Sequence, residues 1–244
     1  MRNCLVFCVI AGLCCSPVAI AQTAPPMPVY TGSFGGGFTL TSGNTDTKNF
    51  NLVFGLVRDP KTKNVFKADA LYLRGSQNDT LNLHRSAVKL RDEYSLTKRV
   101  FVFGEFGYLR DEFKDIRYLL APIGGIGYKI IATDETTLSV SGGAGGFFEK
   151  NTGLPLKKSA SLNAGQNLSH KLSPTATLTE SINTLWKTND LDDYLTNFSV
   201  GITTTLYKKL ELKVEFLDSY KSKPPNPTIK KNDTAFLTTF LLKY

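Results

Sequence analysis

The sequence predicts an all-β fold, a transmembrane up-and-down antiparallel barrel of about 12 strands, with about 10–14 strands compatible with the pattern. Three features predict it: an N-terminal export signal, a long series of strand-like segments, and a final apolar strand that ends on an aromatic residue. Such a strand would promote aggregation in water, whereas a closed barrel in lipid pairs both of its edges. A soluble exported β-sandwich is the alternative fold.

Residues 1–21 are predicted to be a signal peptide. Arg2 gives a positive start, residues 5–13 form a short apolar run, and Ala19-Ile20-Ala21 fits a cleavage site after Ala21. The apolar run is far shorter than the ~20 residues that a membrane-spanning helix needs. All cysteines lie in this segment, at Cys4, Cys8, Cys14 and Cys15. The mature chain therefore has no disulfide and no thiolate metal site.

The mature chain is basic. Without Arg2 it keeps 29 − 1 = 28 Lys and Arg against 21 Asp and Glu, a net charge of +7. The export signal argues against nucleic acid as the partner of these cations. We expect membrane lipid instead, with lipopolysaccharide phosphates as anions, and the outer-membrane insertion machinery as a protein partner. The mean hydropathy of −0.12 excludes a helical membrane protein and is normal for a barrel, because half of each strand faces a polar lumen.

A Pro-rich lead-in at residues 22–29 precedes a single barrel domain at residues 30–244. Strand-like runs alternate there with turn signals, and no segment shows a convincing helical period. The strand lengths suit tilted membrane crossings of ~9–11 residues with some overhang. The predicted strands are 30–42, 47–58, 64–76, 81–95, 99–112, 117–131, 136–149, 158–169, 175–187, 194–207, 210–222 and 233–244.

The connections differ according to the side of the barrel. Even-numbered strands end mostly in tight turns, such as Ser173-Pro174 and Lys208-Lys209. Several odd-numbered strands end in longer loops, such as 151–157, 188–193 and 223–231. Short periplasmic turns and long extracellular loops are typical of outer-membrane barrels, whereas a soluble sandwich has no reason to separate its loops in this way.

Alternation within the strands assigns their faces. We expect apolar side chains to face lipid and charged side chains to face the lumen, because a Lys in mid-membrane costs roughly 2–4 kcal/mol on the lipid face. The predicted lumen-lining residues are Lys67, Asp69, Arg85, Lys89, Arg91, Glu93, Glu105, Arg117, Glu211, Lys213 and Glu215. Glu180 falls on the apolar face, and a bulge or a register change is expected there.

Aromatic residues near the strand ends are predicted to form two interfacial girdles. One set is Tyr30, Tyr94, Tyr128, Tyr207 and Tyr244, and the other is Phe147, Phe148, Trp186, Tyr194 and Tyr220. The last strand carries the pattern by which bacterial outer-membrane barrels are recognised for insertion, with Phe236, Phe240, Leu242 and Tyr244 on one face.

The residues also resemble a known family. The resemblance rests on Gly32-Ser33-Phe34-Gly35, Thr41 to Thr47 (TSGNTDT), Tyr94, Val100 to Gly104, Asp111, Phe113, Arg117 and Gly124 to Tyr128. Residues 32–244 are similar to the salt-induced outer-membrane proteins of the YdiY-like family, which is defined by a domain of unknown function. The resemblance implies a bacterial outer-membrane β-barrel. It implies no reaction and no functional residues.

The mature chain offers little catalytic chemistry. His84 lies two residues from Ser86 and within reach of Asp79, but no other motif supports a nucleophile, so we predict no enzyme. His170 is predicted to be a solvated residue beside a turn. No His, Asp and Glu cluster has metal-ligand spacing, and no cofactor is expected.

Two roles remain open for the charged lumen. The inward charges either neutralise one another and hold the wall, or line a narrow pore for small hydrophilic solutes, with a slight Lys and Arg excess that favours anions. A scaffold or assembly partner in the cell envelope, using loops 151–157 and 223–231, is the alternative to a structural or channel role. Two further alternatives are less favoured than the scaffold: an outer-membrane hydrolase based on His84, and a soluble periplasmic β-protein.

Overall fold

A computed structural model describes residues 29–41 and 47–244. The predicted signal peptide, nearly all of the Pro-rich lead-in and the turn at 42–46 lie outside the described residues. Within the described part, no helix has the length and apolar character needed to cross a membrane.

The described chain forms a closed antiparallel barrel in which each strand pairs with its neighbours in sequence, and β1 pairs with β12. The all-β, twelve-stranded, up-and-down prediction is therefore confirmed. The strands are β1 Tyr30–Thr41, β2 Thr47–Arg58, β3 Asn64–Gln77, β4 Thr80–Ser95, β5 Val100–Asp111, β6 Ile116–Ala132, β7 Thr136–Asn151, β8 Lys157–Ser173, β9 Ala176–Lys187, β10 Asp190–Tyr207, β11 Leu210–Lys221 and β12 Asn232–Lys243.

The barrel closes where the first strand meets the last. Phe34 lies opposite Leu242, and Gly36 lies opposite Phe240. The backbone N–H of Tyr244 donates to the Gly32 carbonyl at 3.0 Å, and the Gly32 N–H donates to the Tyr244 carbonyl at 3.2 Å. A Cβ on Gly32 would lie 2.3 Å from Cζ of Tyr244, so the absence of a side chain there makes room for the terminal ring.

The two ends of the barrel differ less in loop length than the sequence predicts. Residues 78–79 and 188–189 are two-residue connections at the end where long loops were expected. At the first of these, Asn78 and Asp79 both have positive φ, as a type I′ hairpin turn requires. The predicted six-residue loop at 188–193 is wrong because β10 already begins at Asp190, with a register shift before Tyr194. The connection at 222–231 remains long.

The outer face carries the exposed apolar side chains, which include Phe34, Phe38, Phe106, Phe236 and Phe240. The members of the two predicted girdles lie near the strand ends, and the rings of Tyr194 and Tyr220 are 5.8 Å apart. Phe147 is a correction to this set, because it points inward and is 2% exposed.

Glu180 is a second correction. It pairs in continuous register with Leu168 on one side and Val200 on the other, so β9 has neither a bulge nor a register change there. The carboxylate shares the outer face with Leu178 and Ile182 and accepts a hydrogen bond of 3.4 Å from the Gln166 amide. A neighbouring polar side chain thus gives the carboxylate one partner on the outer wall.

Candidate functional site

The lumen brings most of the predicted lumen-lining residues together. Strand register places Lys67, Arg91 and Glu105 side by side on β3, β4 and β5, and Asp69 beside Lys89. Inward alternation along the same strands and β11 accounts for the remaining ones, which are Arg85, Glu93, Glu211, Lys213 and Glu215.

Arg117 does not join this set. It is the extra residue where the pairing of β6 with β7 shifts between Ile116 and Tyr118, and it is exposed. The ten remaining predicted residues are five cations (Lys67, Arg85, Lys89, Arg91, Lys213) and five anions (Asp69, Glu93, Glu105, Glu211, Glu215). Their net charge is 5 − 5 = 0, so the expected preference for anions loses its basis.

Ion pairs follow the wall in the half of the lumen next to the chain termini, which the sequence predicts to be the periplasmic half. Lys67 Nζ lies 2.9 Å from Glu93, and Arg91 reaches Glu93 and Glu105 at 2.7 Å each. On the opposite wall, Lys213 Nζ lies 2.7 Å from Glu215. These pairs join neighbouring or identical strands, so they neutralise the wall without crossing the lumen.

Arg91 also packs on an inward-facing aromatic ring. Its guanidinium carbon lies 3.7 Å from the ring centroid of Phe103. The ring has room because the neighbouring position on β6 is Gly125, where a Cβ would lie 2.7 Å from Cζ of Phe103. Gly127 plays the same part for Phe101, with a corresponding distance of 2.1 Å.

The end of the lumen opposite the chain termini, which the sequence predicts to be extracellular, is closed by ion pairs that do cross it. Glu149 on β7 contacts Lys187 on β9 at 3.2 Å and Lys221 on β11 at 2.5 Å. Lys187 also pairs with Asp193. Lys114, in the connection between β5 and β6, lies 3.0 Å from Asp233. We call these residues the extracellular cap: Lys114, Glu149, Lys187, Asp193, Lys221 and Asp233.

Arg85 spans the lumen just below the cap. It projects from β4, and its guanidinium donates to the side-chain oxygen of Asn197 on β10 at 2.9 Å. β4 and β10 are six positions apart in a barrel of twelve strands, so this contact joins opposite walls. The same oxygen accepts a hydrogen bond from Ser219 at 3.1 Å.

Side-chain exposure shows which end of the lumen is accessible. The side chains of Lys67 and Lys213, in the periplasmic half, are 39% and 25% exposed. Those of Lys187 and Lys221, in the cap, are 6% and 2% exposed. Solvent therefore reaches the lumen from the end that carries the chain termini, while the end with the cap is shut.

A cavity of about 560 Å³ occupies the lumen below the cap. Polar and charged side chains line its periplasmic part, among them Asp69, Lys89, Ser199 and Lys213. Its upper part is lined by the apolar side chains of Leu109, Leu119, Leu185 and Leu195, together with Arg85 and Asn197. Apolar side chains therefore face the lumen as well as lipid in this part of the wall.

Sequence reasoning missed the cap. Its members lie near the ends of β7, β9, β10, β11 and β12, apart from Lys114 in the connection between β5 and β6, and charged residues at such places ordinarily face solvent. The available signal was strict alternation: Phe147, Glu149 and Asn151 share one face of β7, and all three are buried. A charge that shares a face with a buried Phe is a candidate for the interior.

The histidines lie outside the lumen. His84 is on the outer face of β4, where Nδ1 lies 2.7 Å from Glu112, and its ring packs edge-on against Tyr72. His170 Nδ1 lies 2.7 Å from the hydroxyl of Thr136, so it has a partner on the neighbouring strand. Within residues 29–41 and 47–244, no group of three His, Cys, Asp or Glu side chains is arranged to hold a metal ion.

One loop outside the membrane-spanning part carries a defined ion pair. Lys223 Nζ lies 2.6 Å from Asp190. The hydrogen bond to Asp190 raises the pKa of Lys223 and, reciprocally, lowers that of Asp190. The pair tethers the long 222–231 connection to the start of β10.

Comparison with known proteins agrees with this architecture. The family model described as "Protein of unknown function, DUF481" matches residues 35–244. No curated protein matches the sequence. Among solved structures, the COG4313 outer membrane channel from Pseudomonas putida F1 is similar, with 12% identity, 91% of this chain and 100% of that chain covered, and a TM-score of 0.52. The NanC porin is also similar, with 9% identity, coverage of 87% and 97%, and a TM-score of 0.48.

Proposed function

We propose that this chain, which belongs to the DUF481 family of proteins of unknown function, is a narrow outer-membrane channel whose lumen opens to the periplasm and is closed by the extracellular cap. The similar Pseudomonas putida structure is that of an outer membrane channel, and its likeness to this chain is one of fold. In this proposal the chain is exported, cleaved after Ala21 and inserted through its last strand, with lipid and lipopolysaccharide around it.

The single observation that carries the proposal is the gradient of accessibility inside the barrel. Lys67 is 39% exposed at one end, and Lys221 is 2% exposed at the other, with a cavity of about 560 Å³ between them. A barrel with a purely structural role would be more stable with a filled lumen, because side chains around an empty space lack packing contacts. A cavity open at one end and closed by polar side chains suits a conduit held shut.

The balanced charge of the wall defines the solutes. With equal numbers of cations and anions among the ten lumen residues named above, a small hydrophilic solute meets no net electrostatic barrier of either sign. We therefore expect weak selection between small anions and cations. This revises the anion preference that the sequence suggests.

Planar-bilayer recording of the refolded mature chain tests the channel directly. We expect discrete, brief conductance steps with similar permeability for K⁺ and Cl⁻. A membrane that stays at the lipid baseline after verified insertion would contradict the channel and favour a structural barrel.

Thiol labelling tests the direction of access, because the mature chain has no cysteine of its own. Ser199→Cys places a thiol in the cavity, and Asn226→Cys places one in the 222–231 connection. A charged, membrane-impermeant maleimide should label Ser199→Cys only from the periplasmic side and Asn226→Cys only from the outside. Labelling of Ser199→Cys from the outside would refute a closed cap.

A further inference from the structure

The cavity wall changes character along the barrel axis. Leu109 lies two residues before the extracellular end of β5, and Leu185 lies two residues before that of β9. Both belong to one buried cluster with Leu119, Ile123 and Leu195, so apolar side chains from β5, β6, β9 and β10 meet inside the barrel. Lumens of outer-membrane barrels are ordinarily polar. Leu109, Leu185 and Leu195 therefore give this part of the wall hydrocarbon surface beside the polar groups of Arg85 and Asn197, and the hydrocarbon of a solute would be stabilised there by leaving water.

A polar ring lies on the periplasmic side of Leu109, Leu185 and Leu195, where Ile123 is paired with Glu105. Glu105 pairs with Arg91, and Lys213 pairs with Glu215. Asp69 and Lys89 line the same cavity and face each other across β3 and β4. Among the side chains that the structure describes, neither forms an ion pair within 4.0 Å or a side-chain hydrogen bond. Asp69 and Lys89 thus present one anion and one cation side by side to the cavity, and each keeps hydrogen-bonding capacity for a bound molecule.

We infer that the cavity binds a small amphipathic solute with a hydrocarbon body and a zwitterionic head. The body would lie against Leu109, Leu185 and Leu195 below the cap. The head would remain at the ring, where its anionic group meets Lys89 and its cationic group meets Asp69. The volume of about 560 Å³ lies within the ~300–1,000 Å³ typical of small-molecule sites. The solute enters from the periplasmic end, since that end is the accessible one.

The inference rests on the proposed function in one respect, because the bound molecule would be a solute that the channel admits. Binding itself needs only the cavity, so conductance and binding are measured separately. Binding without conductance would overturn the channel and keep the binding site. Conductance without binding would overturn the binding site and keep the channel.

Isothermal titration of the mature chain in nanodiscs, with empty nanodiscs subtracted, measures binding of three probes of equal chain length. These are 2-aminooctanoate, octanoate and octylamine, which are zwitterionic, anionic and cationic. We expect 2-aminooctanoate to bind most tightly. Shorter 2-amino acids should bind more weakly by about fourfold for each methylene removed. Equal binding of the three probes would overturn the zwitterionic head, and absence of a chain-length dependence would overturn the apolar body.

Variants assign the binding to the cavity. Ala121→Phe fills the apolar part, because Ala121 faces the lumen and is 5% exposed. We expect it to lower the affinity at least tenfold, while Ala164→Phe on the outer face of β8 leaves it unchanged. Lys89→Met should remove the preference for 2-aminooctanoate over octylamine. Asp69→Asn should remove the preference for 2-aminooctanoate over octanoate. Wild-type affinity in a heat-modifiable Ala121→Phe barrel would overturn the inference. Should that variant fail to fold, Lys89→Met and Asp69→Asn decide it on the same measurement.

Discussion

Replacing Glu149 by Gln should open the extracellular cap. Glu149 is fully buried and is the anion that two lysines from different strands share. Lys187 keeps Asp193 as a second partner. For Lys221, Glu149 is the ion-pair partner in the described structure, so Glu149→Gln leaves that ammonium buried without an anion.

The magnitude follows from the burial. Removing one partner of a buried ion pair costs about 3–5 kcal/mol, because an uncompensated charge remains in a poorly solvated place. The closed cap bears this cost, whereas the sheet does not, since the strands are held by backbone hydrogen bonds and outer-wall packing. A cost of about 3 kcal/mol shifts an equilibrium between closed and open caps by roughly 150-fold. The barrel should stay folded while the cap spends far more time open.

Single-channel recording provides the assay, with open probability as the measured quantity. Glu149→Gln should raise it by up to two orders of magnitude relative to wild type. The double variant Glu149→Gln/Lys221→Met should restore closure, because removing both partners leaves no buried charge unpaired. Lys243→Gln is the matched control, since its pair with Glu211 at the periplasmic end is 57% exposed on the lysine side. An unchanged open probability in a folded Glu149→Gln barrel would refute the gating role of the cap.

Three further predictions concern assembly and pH. Gly127→Leu should reduce the heat-modifiable folded fraction severalfold on gels, since a Cβ there would lie 2.1 Å from an inward phenyl ring, whereas Gly104→Ala should fold normally because nothing lies within 4 Å of its Cβ. Tyr244→Ala should lower the amount recovered in the outer-membrane fraction, and normal recovery would count against the last strand as the insertion signal. Lys223→Gln should lower the urea midpoint of unfolding near neutral pH. Because Asp190 raises the pKa of Lys223 in the folded state, this difference is fully present from neutral pH up to the lysine's unfolded value of about 10.4 and disappears as pH rises through the folded pKa. A difference that persists at higher pH would contradict the pairing.

The sequence was sufficient for the barrel because a membrane imposes period-two alternation over a long series of strands. Phe236, Phe240 and Leu242 alternate with partners on the other face, and closure through Tyr244 follows from the need to pair the last edge. Strand ends were less predictable, because a hairpin continues for as long as its backbone pairs. The segment 188–193 was therefore expected as a loop, although β10 begins within it.

The interior was harder to predict for a physical reason. Alternation decides which residues share a face, but it does not decide how far a long side chain reaches. Arg85 contacts Asn197 across the lumen, and Lys221 contacts Glu149 four strands away. These pairings depend on barrel diameter and strand stagger, which a single sequence does not contain. For Glu180, alternation alone predicts the correct face of the strand. The bulge is expected because a carboxylate in lipid is costly. The Gln166 amide relieves part of that cost by donating a hydrogen bond to the carboxylate.

The chemistry of the cap favours a closure that opens. Buried ion pairs contribute little net stability, and packed apolar side chains of similar volume often serve as well or better. The barrel uses that apolar solution immediately below the cap, where Leu109, Leu185 and Leu195 pack inside the lumen. A permanent plug at the level of Glu149 could have been built from packed apolar side chains in the same way. When the cap parts, water can solvate lysines and a carboxylate, which lowers the cost of the open state, whereas separated leucines would gain nothing from water. An ionic cap above an apolar cavity therefore fits a lumen that is shut at rest and opens on demand.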